Sequence, residues 1–391
     1  MTWADRLSPV VQSIPLSGIR RFFDIVTEMK DVISLGVGEP DFITPWHIRE
    51  SCVDGLQRGY TAYTSNYGLL ELRQEIARHI EEKYQVTYQP RSEILVTVGV
   101  SEGLDLALRA IVQQGDEVLI PEPCYVSYQA CVTLAGGVPV PVPTTVNNEF
   151  RVTVDQLEKQ ITPRTKAIIL GYPNNPTGAV MPYDQLLPLA RFAEKHDLIV
   201  ISDEIYADLT YEGEHICFSS LPGMRDRTIL LNGFSKAYAM TGWRIGYAMS
   251  NSDFIAAMTK IHQYTMLCAP ITAQVAALEA LRHGEKTMRK MVEEYNGRRR
   301  LMISGFKEIG LPCFEPKGAF YIFPSIQKTG LTSIEFAERL LMTEKVALVP
   351  GSAFGDSGEG FVRCSYATST ANLTEALKRI ERFVNTLAKI I

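Results

Sequence analysis

Short apolar runs that are rich in β-branched residues alternate along this chain with segments of helical periodicity. Such runs are typical of strands buried on both faces, and the segments between them space their apolar residues as an amphipathic helix does. The predicted strands cover residues 93–99, 117–120, 166–170, 198–202 and 228–231, and the predicted helices include 101–112 and 183–196. This alternation predicts an α/β fold with a mostly parallel sheet wrapped by helices.

The last third of the chain has a different pattern. One long helix is predicted over residues 282–309, followed by short strands near 319–323 and 346–349 and a final helix from Ala371. With 391 residues, the chain exceeds the size at which a single core usually stops growing. We therefore expect an N-terminal arm with part of a small domain (1–45), a large domain (46–285) and a small C-terminal domain (286–391).

Composition and charge argue against several classes of protein. Apolar residues make up 46% and charged residues 21%, and no uninterrupted apolar run is long enough to cross a bilayer. A net charge of −5 without a basic block disfavours binding to nucleic acid or to an anionic membrane. The seven cysteines form no C-x-x-C pair, and the first residues lack the features of a secretory signal. We expect a cytoplasmic protein with reduced cysteines, a small-molecule ligand and no metal site.

Four short motifs carry the residues of greatest chemical interest. They are the turn 99–103, Pro173-Asn-Asn-Pro-Thr-Gly178, Asp203-Glu-Ile-Tyr206 and Ser235-Lys-Ala-Tyr-Ala-Met-Thr-Gly-Trp-Arg244. Three of them lie where a predicted strand ends. Because open parallel sheets bind ligands beyond the carboxyl ends of their strands, we expect the four motifs to meet in one pocket.

Individual residues in these motifs suggest particular chemistry. Lys236 follows an apolar strand, where a lysine can lose its proton and act as a nucleophile. Asp203 ends an apolar run and needs a cationic partner, either a protonated pyridine nitrogen or a structural arginine. The turn at 97–103 can hold a phosphate with its backbone N–H groups and the Ser101 hydroxyl. Arg244 can add two parallel hydrogen bonds to such a phosphate, or form a surface ion pair instead.

Together these motifs resemble the class I/II aminotransferases of fold type I, which use pyridoxal 5′-phosphate. The resemblance centres on the pattern S-K-x-x-x-M-T-G-W-R-x-G. It extends from Gly36-Val-Gly-Glu-Pro-Asp-Phe42 through Tyr63 and Gly68 to Phe361-Val-Arg-Cys-Ser-Tyr366. The resemblance implies an enzyme that moves an amino group from an L-amino acid to a 2-oxo acid by a ping-pong mechanism.

The resemblance also implies roles for single residues at the cofactor ring. Lys236 would hold the cofactor covalently and then act as general base and acid, and Asp203 would pair with the pyridine nitrogen. Asn175 and Tyr206 would hydrogen-bond the phenolic oxygen. Tyr125 would stack on the ring, unless it is an ordinary core tyrosine.

Phosphate and substrate contacts follow from the same resemblance. The implied phosphate contacts are Val100, Ser101, Glu102, Ser235 and Arg244. Tyr63 would reach the phosphate from the neighbouring subunit, which implies a homodimer with shared active sites. Arg363, helped by Asn175 and the backbone N–H of Gly38, would grip the substrate α-carboxylate with two hydrogen bonds.

Gly233 and residues 16–30 give two further expectations. Gly233 stands where many members of this family carry serine, so one phosphate hydroxyl is missing and a modest change in cofactor retention is expected. Residues 16–30 resemble the arm and first helix that border the pocket in the family. The alternative for this segment is a surface amphipathic helix.

Other functions fit parts of the pattern. Elimination from cysteine conjugates or formation of a cyclopropane amino acid begins with the same cofactor chemistry. A non-catalytic regulator would carry an added DNA-binding region, and none fits before Gly36. A nicotinamide-dependent oxidoreductase would need a G-x-G-x-x-G fingerprint, which the sequence lacks.

The substrate pair is less constrained than the reaction. No second arginine for a dicarboxylic side chain can be placed by motif. Glutamate and 2-oxoglutarate are the expected common pair, in a role in amino acid biosynthesis. Aspartate, aromatic amino acids and N-acetyl-diaminopimelate are the candidates for the other pair.

Overall fold

The computed structural model describes residues 3–16 and 29–387. In these residues the helices are α1 (Pro9–Ser13), α2 (Trp46–Gln57), α3 (Leu70–Tyr84), α4 (Gly99–Ile111), α5 (Ser127–Leu134), α6 (Val154–Glu158), α7 (Tyr183–Lys195), α8 (Ser252–Thr265), α9 (Ile271–His283), α10 (Glu285–Ile309), α11 (Ser333–Glu344) and α12 (Thr370–Leu387). The strands are β1 (Ile33–Ser34), β2 (Ile94–Thr97), β3 (Glu117–Glu122), β4 (Val138–Pro143), β5 (Thr165–Gly171), β6 (Ile199–Asp203), β7 (Thr228–Gly233), β8 (Gly246–Met249), β9 (Tyr321–Ile322), β10 (Val346–Ala347), β11 (Val349–Pro350) and β12 (Val362–Ser365). The arm expected at residues 16–30 lies mostly outside the described residues.

A seven-stranded sheet forms the centre of the molecule. Its strand order is β2-β8-β7-β6-β5-β3-β4, and only the pairs that involve β8 are antiparallel. Each strand and helix predicted between residues 93 and 231 is present, with ends that differ by at most two residues. The predicted α/β fold with a mostly parallel sheet is confirmed.

Both faces of this sheet are covered by helices. Neighbouring residues of a strand point to opposite faces, so Ile169 belongs to the same buried cluster as Leu104 of α4, and Leu170 to the same cluster as Leu189 of α7. Burial on both faces explains why these strands are continuously apolar instead of alternating with polar residues.

Two strands of the sheet were missed in the sequence. β4 alternates valine with proline, and prolines lack the N–H that a central strand must donate. It is tolerated because β4 lies at the sheet edge and pairs only with β3. β8 begins at Gly246, two residues after the motif that ends in Arg244. Its four residues are too few to show a strand pattern apart from that motif.

The long helix predicted over residues 282–309 is wrong at its start. The structure has two helices there, α9 and α10, which meet at Gly284. A Cβ atom on Gly284 would lie 2.5 Å from the carbonyl oxygen of Ala280 and 2.8 Å from the ring of Tyr238. Gly284 therefore allows close contact with Tyr238 where the two helices meet, a contact that helical periodicity alone does not reveal.

The remaining strands form two small sheets. β11, β12 and β9 make an antiparallel sheet, and β1 pairs in parallel with β10. The single strand predicted over 346–349 is therefore two strands in different sheets, separated at Leu348. Among the described residues, no helix combines the length and apolar character that crossing a bilayer requires.

Candidate active site

A cavity of about 700 Å³ opens at the carboxyl ends of the central strands. It is lined by most of the residues selected from the sequence: Gly38, Val100, Ser101, Tyr125, Asn175, Asp203, Tyr206, Ser235, Lys236, Arg244 and Arg363. The expected convergence of the four motifs is present. Glu102 and Tyr63 do not line the cavity.

Lys236 lies three residues after β7 and is half-buried. Its Nζ donates a hydrogen bond to the carbonyl oxygen of Gly38, at 2.6 Å. Burial lowers the pKa of Lys236 to about 8; the Glu39 carboxylate opposes this shift, and the Arg363 guanidinium adds to it. The amine is therefore neutral in a larger fraction of molecules at pH 7 than an exposed lysine would be.

Asp203 is the last residue of β6 and is buried. Its Oδ2 accepts a hydrogen bond from the hydroxyl of Tyr128 at 2.8 Å, and its Oδ1 accepts one from the N–H of Ile205 at 3.3 Å. Burial raises the pKa of Asp203, and the bond from Tyr128 opposes that rise. Within the described chain no arginine pairs with this carboxylate, so the structural salt bridge considered above is not found there.

Sequence reasoning missed Tyr128. It lies on α5, three residues after Tyr125, and the two rings meet edge to face with centroids 5.7 Å apart. Gly171, at the end of β5, pairs with Asp203 in the sheet, and a Cβ atom there would collide with the Tyr128 hydroxyl. The only sequence signal for Tyr128 was its place beside a motif residue.

The start of α4 forms one wall of the cavity. Gly99 has φ of +77°, and a Cβ atom at this residue would lie 2.5 Å from a guanidinium nitrogen of Arg244. Arg244 also donates to the carbonyl oxygen of Thr241 at 2.9 Å and forms no ion pair with any residue between 29 and 387. The positive end of a helix and an unpaired arginine thus lie side by side, a suitable arrangement for an anion.

Glu102 has a different environment from its neighbours in this turn. Its carboxylate accepts from the N–H of Val98 and pairs with Nδ1 of His262 at 2.7 Å. The side chain therefore ties the turn to α8 and does not face the cavity. Only the backbone of Glu102 is left for a ligand.

Gly233 has a packing role. A Cβ atom at this position would lie 2.9 Å from Cα of Gly246 and 3.2 Å from the side chain of Val100. The end of β7, the start of β8 and the first turn of α4 meet here. A serine at position 233 would need these three segments to move apart, so the missing phosphate hydroxyl goes together with their close packing.

Arg363 lies on β12 and is only 2% exposed. Its Nη1 donates to Oδ1 of Asn175 at 2.9 Å and its Nη2 to the carbonyl oxygen of Gly36 at 2.5 Å. Its Nε finds no hydrogen-bond partner, and no carboxylate of the described chain pairs with it. Because a buried, unpaired guanidinium is costly, this group is suited to bind an anion that enters the cavity.

Two tyrosines join the two sides of the cavity. The Tyr206 and Tyr321 hydroxyls are 2.8 Å apart, and the ring of Tyr321 lies 4.5 Å from the guanidinium carbon of Arg363. Tyr321 was not selected from the sequence because the Gly-Ala-Phe-Tyr segment looks like an ordinary apolar strand. The pairing of β9 with β12 brings Tyr321 close to Arg363.

Tyr63 stands apart from the other candidates. It is 82% exposed and lies outside the cavity of its own chain. In the part of the chain that the structure describes, His, Cys, Asp and Glu side chains form no group of three that could hold a metal ion.

A family model described as aminotransferase class I and II matches residues 30–380. The chain belongs to the class I and II aminotransferases. Members of this family use pyridoxal 5′-phosphate, so the predicted aminotransferase activity and its cofactor are confirmed.

Individual relatives match over nearly their full length. The Bacillus subtilis protein YugH, named as an aminotransferase without a substrate, is 54% identical and covers 97% of this chain and 98% of its own. An aspartate aminotransferase of Pyrococcus abyssi is 49% identical, with 98% of each chain covered. The solved aromatic aminotransferase of Pyrococcus horikoshii is 47% identical with a TM-score of 0.91, over 95% of this chain and all of that one.

The cavity of this aminotransferase fits its cofactor chemically. The unpaired Arg244 beside the start of α4 suits a phosphate, the buried Asp203 suits a protonated ring nitrogen, and Lys236 offers an amine of lowered pKa. Arg363 supplies a separate place for a substrate carboxylate. When bound, the cofactor supplies an electron sink for the pair left behind as a Cα–H bond breaks.

Proposed function

We propose that this aminotransferase moves amino groups between glutamate and a second amino acid, by a ping-pong mechanism in amino acid biosynthesis. The observation that carries the proposal is the presence, in one cavity, of a half-buried Lys236 and a buried Arg363 for which residues 29–387 supply no anionic partner. An α-amino acid presents a carboxylate and a Cα–H bond on one small molecule. The two side chains match those two groups.

We propose that Lys236 attaches the cofactor and then acts as general base and acid at the substrate Cα. Its lowered pKa supports this, since an amine that moves protons works best with a pKa near the working pH. Asp203 would hold the ring nitrogen in its protonated form. Asn175 and Tyr206 would donate to the phenolic oxygen, and Tyr125 would cover one ring face.

The phosphate would be held where α4 begins. Val100 and Ser101 supply backbone N–H groups in the first turn, and Ser101 and Ser235 supply hydroxyls. Arg244 supplies the charge. Glu102 would contribute through its backbone alone, because its carboxylate is engaged with His262.

The substrate α-carboxylate would be gripped by Arg363, with Asn175 and the N–H of Gly38 beside it. The second substrate belongs to the class for which relatives are named, which includes aspartate, aromatic and N-acetyl-LL-diaminopimelate aminotransferases. All of these substrates carry the same α-carboxylate, so Arg363 would not distinguish them. The pocket for the substrate side chain would set the choice.

We further propose a cytoplasmic homodimer with shared active sites, in which Tyr63 serves the partner's phosphate. The high exposure of Tyr63 supports this, since in its own chain it touches no part of the cavity. Each chain would consist of a large domain over 46–285 and a small domain over 286–391, and residues 1–45 would form the N-terminal arm and part of the small domain. The pairing of β1 with β10 is in keeping with that division.

The experiment is a pair of absorbance spectra of the purified protein between about 300 and 500 nm, before and after addition of L-glutamate, because the cofactor absorbs differently with and without the amino group. A shift from the longer-wavelength band to the shorter one supports glutamate as donor. A second addition of candidate 2-oxo acids should reverse the shift and identify the acceptor. A bound cofactor that ignores glutamate would overturn the proposed donor.

A further inference from the structure

The Tyr321 hydroxyl is enclosed next to the cavity. It lies 2.8 Å from the Tyr206 hydroxyl, and a Cβ atom on Gly38 would come within 2.5 Å of it. Within the described chain, Tyr206 is its only hydrogen-bond partner. The Gly38 backbone thus closes one side of the hydroxyl and Tyr206 occupies the other.

The direction of this hydrogen bond follows from the proposed role of Tyr206. A tyrosine hydroxyl carries one proton, so a Tyr206 that donates this proton into the cavity can only accept in its bond with Tyr321. The proton between the two oxygens then comes from Tyr321. The ring of Tyr321 lies 4.5 Å from the Arg363 guanidinium, and this positive charge favours donation by the Tyr321 hydroxyl.

We propose that Tyr321 is a positioning residue that donates its hydroxyl proton to Tyr206 and so directs the proton of Tyr206 into the cavity. The inference rests on the proposed role of Tyr206 as a donor to the cofactor. A hydroxyl that accepts one hydrogen bond donates a stronger one, because chains of hydrogen bonds polarise each other. Tyr321 thereby strengthens the bond that Tyr206 makes.

The ring of Tyr321 has a separate task. Its face lies against the guanidinium of Arg363, and this contact needs no hydroxyl. The two tasks can therefore be separated by Tyr321→Phe, which keeps the ring and removes only the oxygen. Because that variant keeps the ring contact with Arg363, amino acid KM should be unchanged.

The test is a pH titration of the absorbance of the cofactor-loaded enzyme, a readout independent of turnover. The proteins compared are wild type, Tyr206→Phe, Tyr321→Phe and the double variant. The control is Tyr172→Phe, at a buried tyrosine that does not line the cavity and whose hydroxyl bonds to the backbone at Phe150 and Val152. A donor to the phenolic oxygen lowers the midpoint of this titration, so removing one raises it.

We expect Tyr206→Phe to raise the midpoint, and Tyr321→Phe to raise it by roughly 0.2–0.5 pH unit, a fraction of one hydrogen bond. In the double variant, loss of the Tyr321 hydroxyl should add nothing to the shift of Tyr206→Phe. An unshifted Tyr321→Phe, or shifts that add in the double variant, would overturn the role of Tyr321 alone. An unshifted Tyr206→Phe would overturn the proposed function of Tyr206 and this inference with it.

A second replacement covers the case in which Tyr321→Phe does not fold. 3-Fluorotyrosine at position 321 keeps the hydroxyl and makes it a stronger donor. The midpoint should then move in the opposite direction, below that of the wild type. A midpoint that stays the same or rises would contradict the proposed donor direction.

Discussion

Lys236 and Arg363 share an unusual pattern of hydrogen bonds. Arg363 is buried and Lys236 is half-buried, and each donates to neutral oxygens instead of carboxylates. The carbonyl groups of Gly36 and Gly38, two residues apart in one loop, accept from Arg363 and Lys236 respectively. Neutral acceptors satisfy part of the hydrogen-bonding need of both cations and leave their charge available for a ligand.

Replacement of Arg363 by lysine tests the substrate contact proposed for its guanidinium. The point charge survives in Arg363→Lys, but the fork that makes two parallel hydrogen bonds is lost. We expect KM for glutamate to rise by about 10- to 100-fold, the value of one hydrogen bond to a charged group. Steady-state kinetics measures this. Arg289→Lys, at an exposed ion pair within α10, is the matched control and should leave KM unchanged.

The pKa of Lys236 leads to a prediction on pH. Burial lowers this pKa to about 8, so the neutral amine becomes abundant at lower pH than in free lysine. In cofactor-free protein, the rate at which Lys236 attaches the cofactor should rise about tenfold per pH unit up to pH ~7.5 and level off above pH ~8.5. Rapid-mixing absorbance measures the rate.

The control for this pH profile is a free lysine derivative with a blocked α-amine, mixed with the same cofactor. Its rate should continue to rise to about pH 10, because its amine is exposed to water. Dividing the two profiles removes the ionisation of the cofactor itself. If the protein's rate also rises to pH 10, the lowered pKa of Lys236 is wrong.

At the scale of elements, the boundary between α9 and α10 depends on a single glycine. Gly284 lies against Tyr238, and Tyr238 follows Lys236 by two residues on the segment that leaves β7. The start of α10 is therefore packed onto the lysine-bearing segment. This contact joins α10 to the segment that carries Lys236.

Gly284→Ala should destabilise the protein by about 1–3 kcal/mol, the usual cost of forcing an extra methyl group into a packed site. The matched control is Gly297→Ala, inside α10, where a Cβ atom would meet nothing within 4 Å. That change should stabilise the protein by roughly 0.5–1 kcal/mol, since alanine favours the helix. Thermal unfolding measures both, and equal effects of the two changes would contradict the packing argument.

The same elements show what sequence could predict. Strands β3, β5, β6 and β7 were found because burial on both faces makes them continuously apolar, and Lys236 and Asp203 were found because each follows such a strand. Gly284 and β4 were not found, because their conformations depend on a tyrosine and a sheet edge that lie elsewhere in the chain. Tyr128 and Tyr321 were missed for the same reason. They differ from other buried tyrosines in their hydrogen-bond partners, Asp203 and Tyr206, which lie far away in the sequence.

At the scale of the whole molecule, the loop that carries Tyr63 is joined to a segment with several exposed apolar side chains. Tyr264, in the last turn of α8, is 86% exposed, and the exposed Met266 and Leu267 follow α8 in a loop. Trp46, at the start of α2, is 60% exposed. The Asn66 side chain donates to the carbonyl oxygen of Leu267 at 2.7 Å, which joins this loop to the one that carries Tyr63. An exposed apolar surface of this kind is typical of a protein interface.

If Tyr63 acts in the partner's site, defects in two different chains should complement each other. Lys236→Ala should be inactive because it removes the amine, and Tyr63→Ala should retain cofactor poorly. In a mixed dimer, one site combines the intact Lys236 of one chain with the intact Tyr63 of the other, and the second site carries both defects. We expect the mixed dimer to show about half the wild-type activity, because a twofold dimer has two equivalent sites.

Co-expression with two different affinity tags isolates the mixed dimer, and its activity and cofactor content are compared with those of both parent dimers. Mass measurement in solution should give twice 43.7 kDa for every protein. A mixed dimer of Lys236→Ala with wild-type chain gives the reference for one working site. Should the mixed dimer be no more active than the Tyr63→Ala dimer, Tyr63 serves its own chain or none, and the exposed surface around it needs a different partner.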